Sequence, residues 1–148
     1  MTTKYVLIGV SVMILAACNP KENAIKKTDK QNIAIASQVY EYFNKHDWES
    51  MAALYIDPAD FKDPSLGQGI VQQTRKQTVD KYRKMQEMSP DIRDEVVQMY
   101  PSGDNYVIVE FVSSGTASNG AKWSLPLCTI FTIENGKIIR DFTYYDNE

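Results

Sequence analysis

The stretch "TIFTIENGKIIRDFTYYD", residues 129–146, decides the fold of this chain. Two runs rich in Thr, Ile, Phe and Tyr flank the pair Asn135-Gly136. Residues of these types favour β-strands. An Asn-Gly pair supplies the positive φ angles that a tight hairpin turn requires. The stretch therefore predicts an antiparallel hairpin.

The pattern continues towards the N-terminus with further runs of β-branched and aromatic residues. Turn residues separate these runs at Pro101-Ser102-Gly103-Asp104 and at Asn119-Gly120. Gly115 and Pro126 lie inside long runs, where such residues indicate bulges or bends in a curved sheet. The second half of the chain therefore predicts a four-stranded antiparallel meander, with strands over 92–100, 105–117, 122–133 and 137–145.

The first half of the mature chain has helical periodicity instead. A capping box at Thr28 and Gln31 begins a helix that we expect to reach about Lys45. Asp47 is the expected cap of a second helix, and a third helix ends before Ser89-Pro90. Residues 58–75 carry two prolines and two glycines and read as a loop. Three helices followed by four strands predict an α+β domain.

The N-terminus has the features of a secretion signal. Lys4 precedes the apolar run "YVLIGVSVMILAA", which is too short to cross a bilayer comfortably. Leu15-Ala16-Ala17-Cys18 resembles the lipobox of bacterial lipoproteins, in which the cysteine is lipidated. The alternative is a secretory peptide cut after Ala17. The resemblance implies a signal peptide over 1–17, a tether over 18–30 and a domain over 31–148, anchored to a cell-envelope membrane, with the outer membrane expected.

The net charge and the residue content argue against several classes of binding partner. The chain of 148 residues carries a net charge of −3 and has no basic run between aromatic residues, which argues against nucleic-acid binding. His46 is the only histidine and Cys128 the only cysteine besides Cys18. No spaced cluster of metal ligands and no phosphate-binding loop is present, so we expect neither a metal nor a cofactor. We assign His46 to a helix end and Cys128 to the interior.

Four segments together resemble the SnoaL-like group of nuclear-transport-factor-2-like proteins. They are "KHDWESMAALY", "SPDIRDEV", "DNYVIVEFVSSGTASNG" and the opening "TIFTIENGKIIRDFTYYD". The resemblance implies a cone in which the curved sheet wraps around a long helix and leaves a hollow. Members of this group carry out cyclisation, isomerisation, dehydration or hydrolysis, or only bind ligands, so the resemblance implies a pocket and no particular reaction.

The resemblance also implies candidate residues. Asp146 matches the terminal Asp that cyclase members use as an acid/base, and an apolar surround would raise its pKa. The alternative is a solvated strand end or a structural hydrogen-bond partner. The residues expected to line the pocket are Tyr55, Asp63, Trp123, Phe142 and Tyr144.

Three functions follow as expectations. The first is binding of a small apolar or amphipathic ligand without catalysis. The second is an isomerase, cyclase or dehydratase that uses Asp146. The third is an interaction module that forms a homodimer through the outer sheet face.

Overall fold

The computed structural model describes residues 27–146. Within them lie three helices, α1 (Lys27–Asn44), α2 (Trp48–Ala53) and α3 (Arg75–Met88). Strands β1 (Tyr55–Lys62) and β2 (Val71–Gln73) lie between α2 and α3, and a 3₁₀ turn (Pro64–Leu66) joins these two strands. Strands β3 (Arg93–Ser102), β4 (Tyr106–Thr116), β5 (Lys122–Glu134) and β6 (Lys137–Tyr144) follow α3.

All six strands form one mixed sheet in the order β2-β1-β6-β5-β4-β3. The predicted meander β3 to β6 is confirmed, and its members pair antiparallel. The turn between β5 and β6 uses Asn135 at φ 51° and Gly136 at φ 76°, as the hairpin prediction requires. Strand β1 pairs parallel with β6, which makes the sheet mixed.

The prediction of four strands and a loop over 58–75 is therefore incomplete. β1 and β2 occupy much of that region, and Tyr55 begins β1 instead of lying on the second helix. These strands were missed because Pro58 and the shortness of β2 hide their pattern, and because β1 is stabilised by β6, which lies far along the chain. The sequence also indicated bulges or bends at Gly115 and Pro126, and the structure has no bulge at either position. Both residues instead pair in continuous register across β4 and β5.

The core lies between the helices and the concave face of the sheet. Helix α1 buries Ala36, Val39, Tyr40 and Phe43, which confirms the predicted helical stripe. Asn44, the last residue of α1, accepts a hydrogen bond from the backbone N–H of Asp94 at 2.7 Å and donates one to its carbonyl at 2.8 Å. This pair of bonds fixes the end of α1 against strand β3 and so positions the Asp94 side chain.

Side chains at the start of α3 form hydrogen bonds with its first backbone N–H groups. Thr74 caps α3 in a reciprocal capping box with Gln77. The predicted end before Ser89-Pro90 is confirmed, because Ser89 is the C-cap.

Two sequence predictions concern residues outside the described range. The proposed signal peptide and Cys18 precede residue 27, so the lipid anchor stays a prediction. Within residues 27–146, no helix is long and apolar enough to cross a membrane. Residues 27–30, which we assigned to the tether, already belong to α1.

Candidate functional site

A cavity of about 270 Å³ lies between the helices and the concave face of the sheet. Its wall is mainly apolar and aromatic, with a small number of polar groups. Cavities of this composition are the usual form of small-molecule sites, and this volume lies at the lower end of their range. The aromatic members of the wall are Tyr40, Phe43, Tyr82, Phe111, Trp123, Phe131 and Tyr145.

Asp141 on β6 is the first buried carboxyl group in the wall, with 7% of its surface exposed. The Tyr55 hydroxyl donates a hydrogen bond to its Oδ2 at 2.7 Å, and the Thr143 hydroxyl donates one to its Oδ1 at 3.1 Å. Burial raises the pKa of Asp141, while the bond from Tyr55 and the charge of Lys81 act in the opposite direction. Both carboxyl oxygens therefore have donors, and these hydrogen bonds favour the ionised form.

The hydrogen bonds extend from Asp141 across the sheet. Thr143 gives its proton to Asp141, so at the 2.7 Å contact between the two hydroxyls Thr129 is the donor to Thr143. The hydroxyls of Thr129 and Thr143 are therefore polarised towards Asp141. The Thr129 side chain also acts on the Tyr40 hydroxyl on α1 and partly offsets the burial that raises the pKa of Tyr40.

Asp94 on β3 is the second buried carboxyl group in the wall. Unlike Asp141, it does not have, among the described residues, a hydrogen-bond donor at each of its oxygens. Its side chain hydrogen bonds with Ser113, but Oδ1 has no hydrogen-bond partner within residues 27–146. Burial raises the pKa of Asp94 to about 7, and the bond with Ser113 offsets only part of that effect. A carboxyl group in this state can hold or release a proton near neutral pH.

A third acidic residue, Asp63, lies at the edge of the cavity and is neutralised there. Its carboxylate forms an ion pair with Lys81 of α3 at 2.5 Å and accepts a hydrogen bond from the Tyr145 hydroxyl at 3.0 Å. Burial opposes the ionised form, but Lys81 and Ser65 outweigh it and lower the pKa of Asp63. Tyr145 and Asp63 also line a surface groove outside the cavity, so their contact separates the two spaces.

The structure places the predicted site residues in three groups. Asp63 and Trp123 line the cavity. Tyr55 does not line the cavity. Its hydroxyl donates a hydrogen bond to Asp141, which does. Phe142 and Tyr144 are not among the residues that line the cavity.

Asp146 likewise differs from the expectation of an inward carboxyl group. It follows the end of β6, is exposed and does not line the cavity. Side chains alternate along a strand, and the cavity is lined by Asp141, Thr143 and Tyr145. The even-numbered residues of this segment therefore face away from the cavity.

The two buried carboxyl groups were missed by the sequence reasoning. Asp141 carried no simple signal, because a register shift between Ile138 and Arg140 breaks the alternation of the strand, and the buried positions Ile138 and Asp141 lie three residues apart. Asp94 also lacked a signal, since Arg93, Asp94 and Glu95 read as a solvated strand start.

No group of three or more potential metal-ligand residues lies together in the part of the chain that is described. His46 lies outside the cavity wall, between α1 and α2, where Nε2 contacts the carbonyl of Ile92 at 2.9 Å and Nδ1 contacts Gln86 at 2.8 Å.

A cone-shaped α+β domain with a hollow under a curved sheet defines a class of small cavity proteins. The SnoaL-like domain family matches residues 36–141, and the chain belongs to this family. This match confirms the family resemblance deduced from the sequence. No curated protein matches the chain.

Solved structures with the same fold include proteins described as different enzymes. A putative polyketide cyclase from Xanthomonas campestris pv. campestris is 21% identical, with a TM-score of 0.67 over 80% of this chain and 93% of that one. A putative isomerase from Bacillus subtilis is 16% identical, with a TM-score of 0.69 over 82% and 90% of the two chains. An epoxide hydrolase from M. tuberculosis is 14% identical, with a TM-score of 0.66 over 79% and 84%. At these identities the similarity establishes the fold alone.

Proposed function

We propose that this domain binds a small, mainly apolar ligand inside the cavity, with the ligand's polar group directed at the buried carboxyl groups. The observation that carries this proposal is Asp94, a buried acid in an apolar wall with an oxygen that lacks a partner. A buried polar group without a partner is costly, so a ligand that provides one gains affinity there. The apolar part of the ligand would contact the aromatic wall.

The test is ligand binding measured on a variant whose cavity is filled. Leu127 lines the cavity, whereas Ile130 does not line it. We expect Leu127→Trp to abolish the thermal stabilisation produced by small apolar ligands, because the larger ring occupies their space. Binding to the folded state raises the melting temperature. Ile130→Trp adds the same ring on the other side of β5 and should keep the response. Equal responses in the two variants would contradict the proposal.

A second candidate function is acid/base catalysis within the same cavity. The observation that favours it is the pKa of Asp94, raised by burial to about 7, where a carboxyl group can both accept and return a proton. The related structures described as a cyclase, an isomerase and an epoxide hydrolase support this candidate.

The assay for catalysis is exchange of α-hydrogens for deuterium in a panel of small ketones, followed by NMR. We expect Asp94→Asn and Asp141→Asn to lower any exchange above the buffer rate. Asp146→Asn tests the sequence-based assignment of the acid/base to Asp146, and we expect it to keep the activity. Loss in Asp146→Asn alone would return that role to Asp146.

A homodimer formed through the outer face of the sheet is a further proposal, which the register of the strands supports. Tyr100, Ile108, Ile130 and Phe142 are cross-strand neighbours in one row over four strands. Such a row offers an apolar surface that a second copy could cover. We expect Ile130→Lys to convert a dimer to a monomer in sedimentation velocity experiments. Ile70→Lys, at an exposed position in the loop before β2, is the control, and a monomeric wild type would contradict the proposal.

We also propose that lipid on Cys18 anchors the domain to a cell-envelope membrane, with the outer membrane expected. The support is the sequence Leu15-Ala16-Ala17-Cys18 after a short apolar run. Lipid chains contribute about 0.8 kcal/mol per buried CH₂, so more than one chain gives stable attachment. We expect Cys18→Ser to move the protein to the soluble fraction, while Cys128→Ser leaves it in the membrane fraction. An unchanged distribution in Cys18→Ser would reject lipidation at this residue.

A further inference from the structure

The cavity wall carries more acidic than basic side chains. Asp63, Asp94 and Asp141 supply three carboxyl groups, whereas Lys81 is the only basic side chain in the wall among the described residues. Lys81 is paired with Asp63, and the side chains of both are only 15% exposed. The two remaining carboxyl groups have no basic partner at contact distance among the salt bridges of the described residues. The interior of the cavity therefore favours positive charge.

The uncharged part of the wall is also suited to a cation. Aromatic rings attract a cation over their faces, most strongly when water is excluded. Rings of Tyr40, Phe43 and Tyr82 line the cavity on the helix side, and the ring of Trp123 lines it at the start of β5. Lys81 already makes such a contact, with Nζ at 5.1 Å from the centre of the Tyr82 ring. The wall thus combines aromatic faces with buried carboxyl groups.

Asp94 is the carboxyl group beside which a bound cation would lie. Only 7% of the surface of Asp94 is exposed, and its Oδ1 has no hydrogen-bond partner among residues 27–146. Asp141 is different because both of its oxygens accept hydrogen bonds from the protein. An uncompensated carboxylate in an apolar cavity is unfavourable, and a cation that enters beside it removes that cost.

We propose that the cavity selects a small organic monocation with alkyl substituents, such as a tertiary or quaternary ammonium, over neutral or anionic molecules of the same shape. This inference rests on the proposed function, namely that the cavity binds a small ligand. An alkylated ammonium fits better than a primary amine, because it is weakly hydrated and its methyl groups contact the aromatic wall. An anion is disfavoured because Lys81 is already neutralised by Asp63.

The test is a series of three probes with one shape and different charges. Choline is the cation, 3,3-dimethyl-1-butanol is its neutral counterpart, and 3,3-dimethylbutanoate is the anion. Titration calorimetry on the full chain at pH 8 and 0.15 M salt measures each affinity, since exposed charges are screened within about 8 Å at this salt concentration. We expect choline to bind at least about tenfold more tightly than the alcohol, and the anion most weakly.

The pH dependence identifies Asp94 as the counter-charge. The groups that face Asp94 are Tyr40 from α1, Tyr82 from α3 and Ser113 from β4, and burial raises the pKa of both tyrosines well above its usual value. Neither tyrosine titrates near neutral pH. Because the pKa of Asp94 is about 7, we expect choline affinity to fall by up to about tenfold between pH 8 and pH 6. The affinity of the alcohol should not fall.

Variants separate the local charge from the charge of the whole protein. Asp94→Asn should remove most of the preference for choline and its pH dependence. Asp80→Asn removes one carboxylate from the exposed face of α3 and should leave both unchanged.

The outcomes distinguish the two proposals. If the alcohol binds as tightly as choline, the selection for cations is refuted while the ligand cavity stands. If the butanoate binds best, the inference is likewise refuted and Lys81 becomes the recognition group. If none of the three probes binds, both the cavity function and the inference are rejected for ligands of this size. A choline preference that persists in Asp94→Asn assigns the cation to another group and overturns the role of Asp94.

Discussion

Replacement of Asp94 by Asn should stabilise the protein at neutral and alkaline pH. In the folded chain Asp94 is buried in an apolar wall, and burial raises its pKa from 3.8 to about 7. Asn keeps the size and can still hydrogen bond with Ser113, but it never ionises. The variant therefore lacks the cost of holding a carboxylate in the cavity wall.

The magnitude follows from the two pKa values. Each pKa unit corresponds to about 1.4 kcal/mol, so the difference between 3.8 and about 7 corresponds to at most about 4 kcal/mol. The unfolded chain releases the Asp94 proton near pH 4, whereas the folded chain retains it until about pH 7. Between these values the folded state binds more protons, so the contribution of Asp94 to stability falls as pH rises through this window. Above the window it remains constant at its lowest value.

The assay is urea denaturation of the wild type and Asp94→Asn at pH 4, 6 and 8. We expect the two proteins to differ little at pH 4, and the variant to be more stable by about 2 to 4 kcal/mol at pH 8. The comparison isolates Asp94, because Asp63 and Asp141 titrate in both proteins. A free-energy difference that is the same at all three pH values, or a wild type that is more stable at pH 8, would refute the assignment of a raised pKa.

The remaining predictions concern packing and hydrogen bonds and use the same denaturation assay at pH 7. Tyr55→Phe removes the donor to buried Asp141 and should destabilise the fold by about 2 kcal/mol, whereas Tyr106→Phe, at an exposed position, should change stability by less than about 0.5 kcal/mol. Gly115→Ala should cost about 1 to 3 kcal/mol, because the added Cβ would lie 2.4 Å from the Ser89 Oγ, which itself makes hydrogen bonds. Unchanged urea midpoints in Tyr55→Phe or Gly115→Ala would contradict these contacts.

The elements that sequence reasoning predicted are those specified by neighbouring residues. The hairpin of β5 and β6 follows from Asn135-Gly136 between two β-rich runs, and the end of α3 follows from Ser89-Pro90. These signals act over a few residues, so they need no knowledge of the rest of the chain. The parallel pairing of β1 with β6 joins residues about eighty positions apart, and no local sequence pattern predicts it.

The candidate site was predicted only in part for a related reason. Sequence alternation correctly grouped Phe142 with Tyr144 on one face of the last strand, but it does not say which face lines the cavity. The structure puts Asp141 and Thr143 in the wall instead. Asp63 and Trp123 were predicted to line the pocket from the sequence. Their contacts with α3 and with Ser89 are known only from the tertiary structure.

The sequence by itself determined the α+β class, the four-stranded meander with its turns, and the family, because these depend on residue type and short spacing. The tertiary structure alone decided that Asp94 and Asp141 are buried at one cavity while Asp146 is exposed. The physical reason is that burial depends on which surfaces are closed by distant segments. A carboxyl group has its pKa raised by the surfaces around it in the fold, and those surfaces are contributed by all three helices and four strands of the sheet.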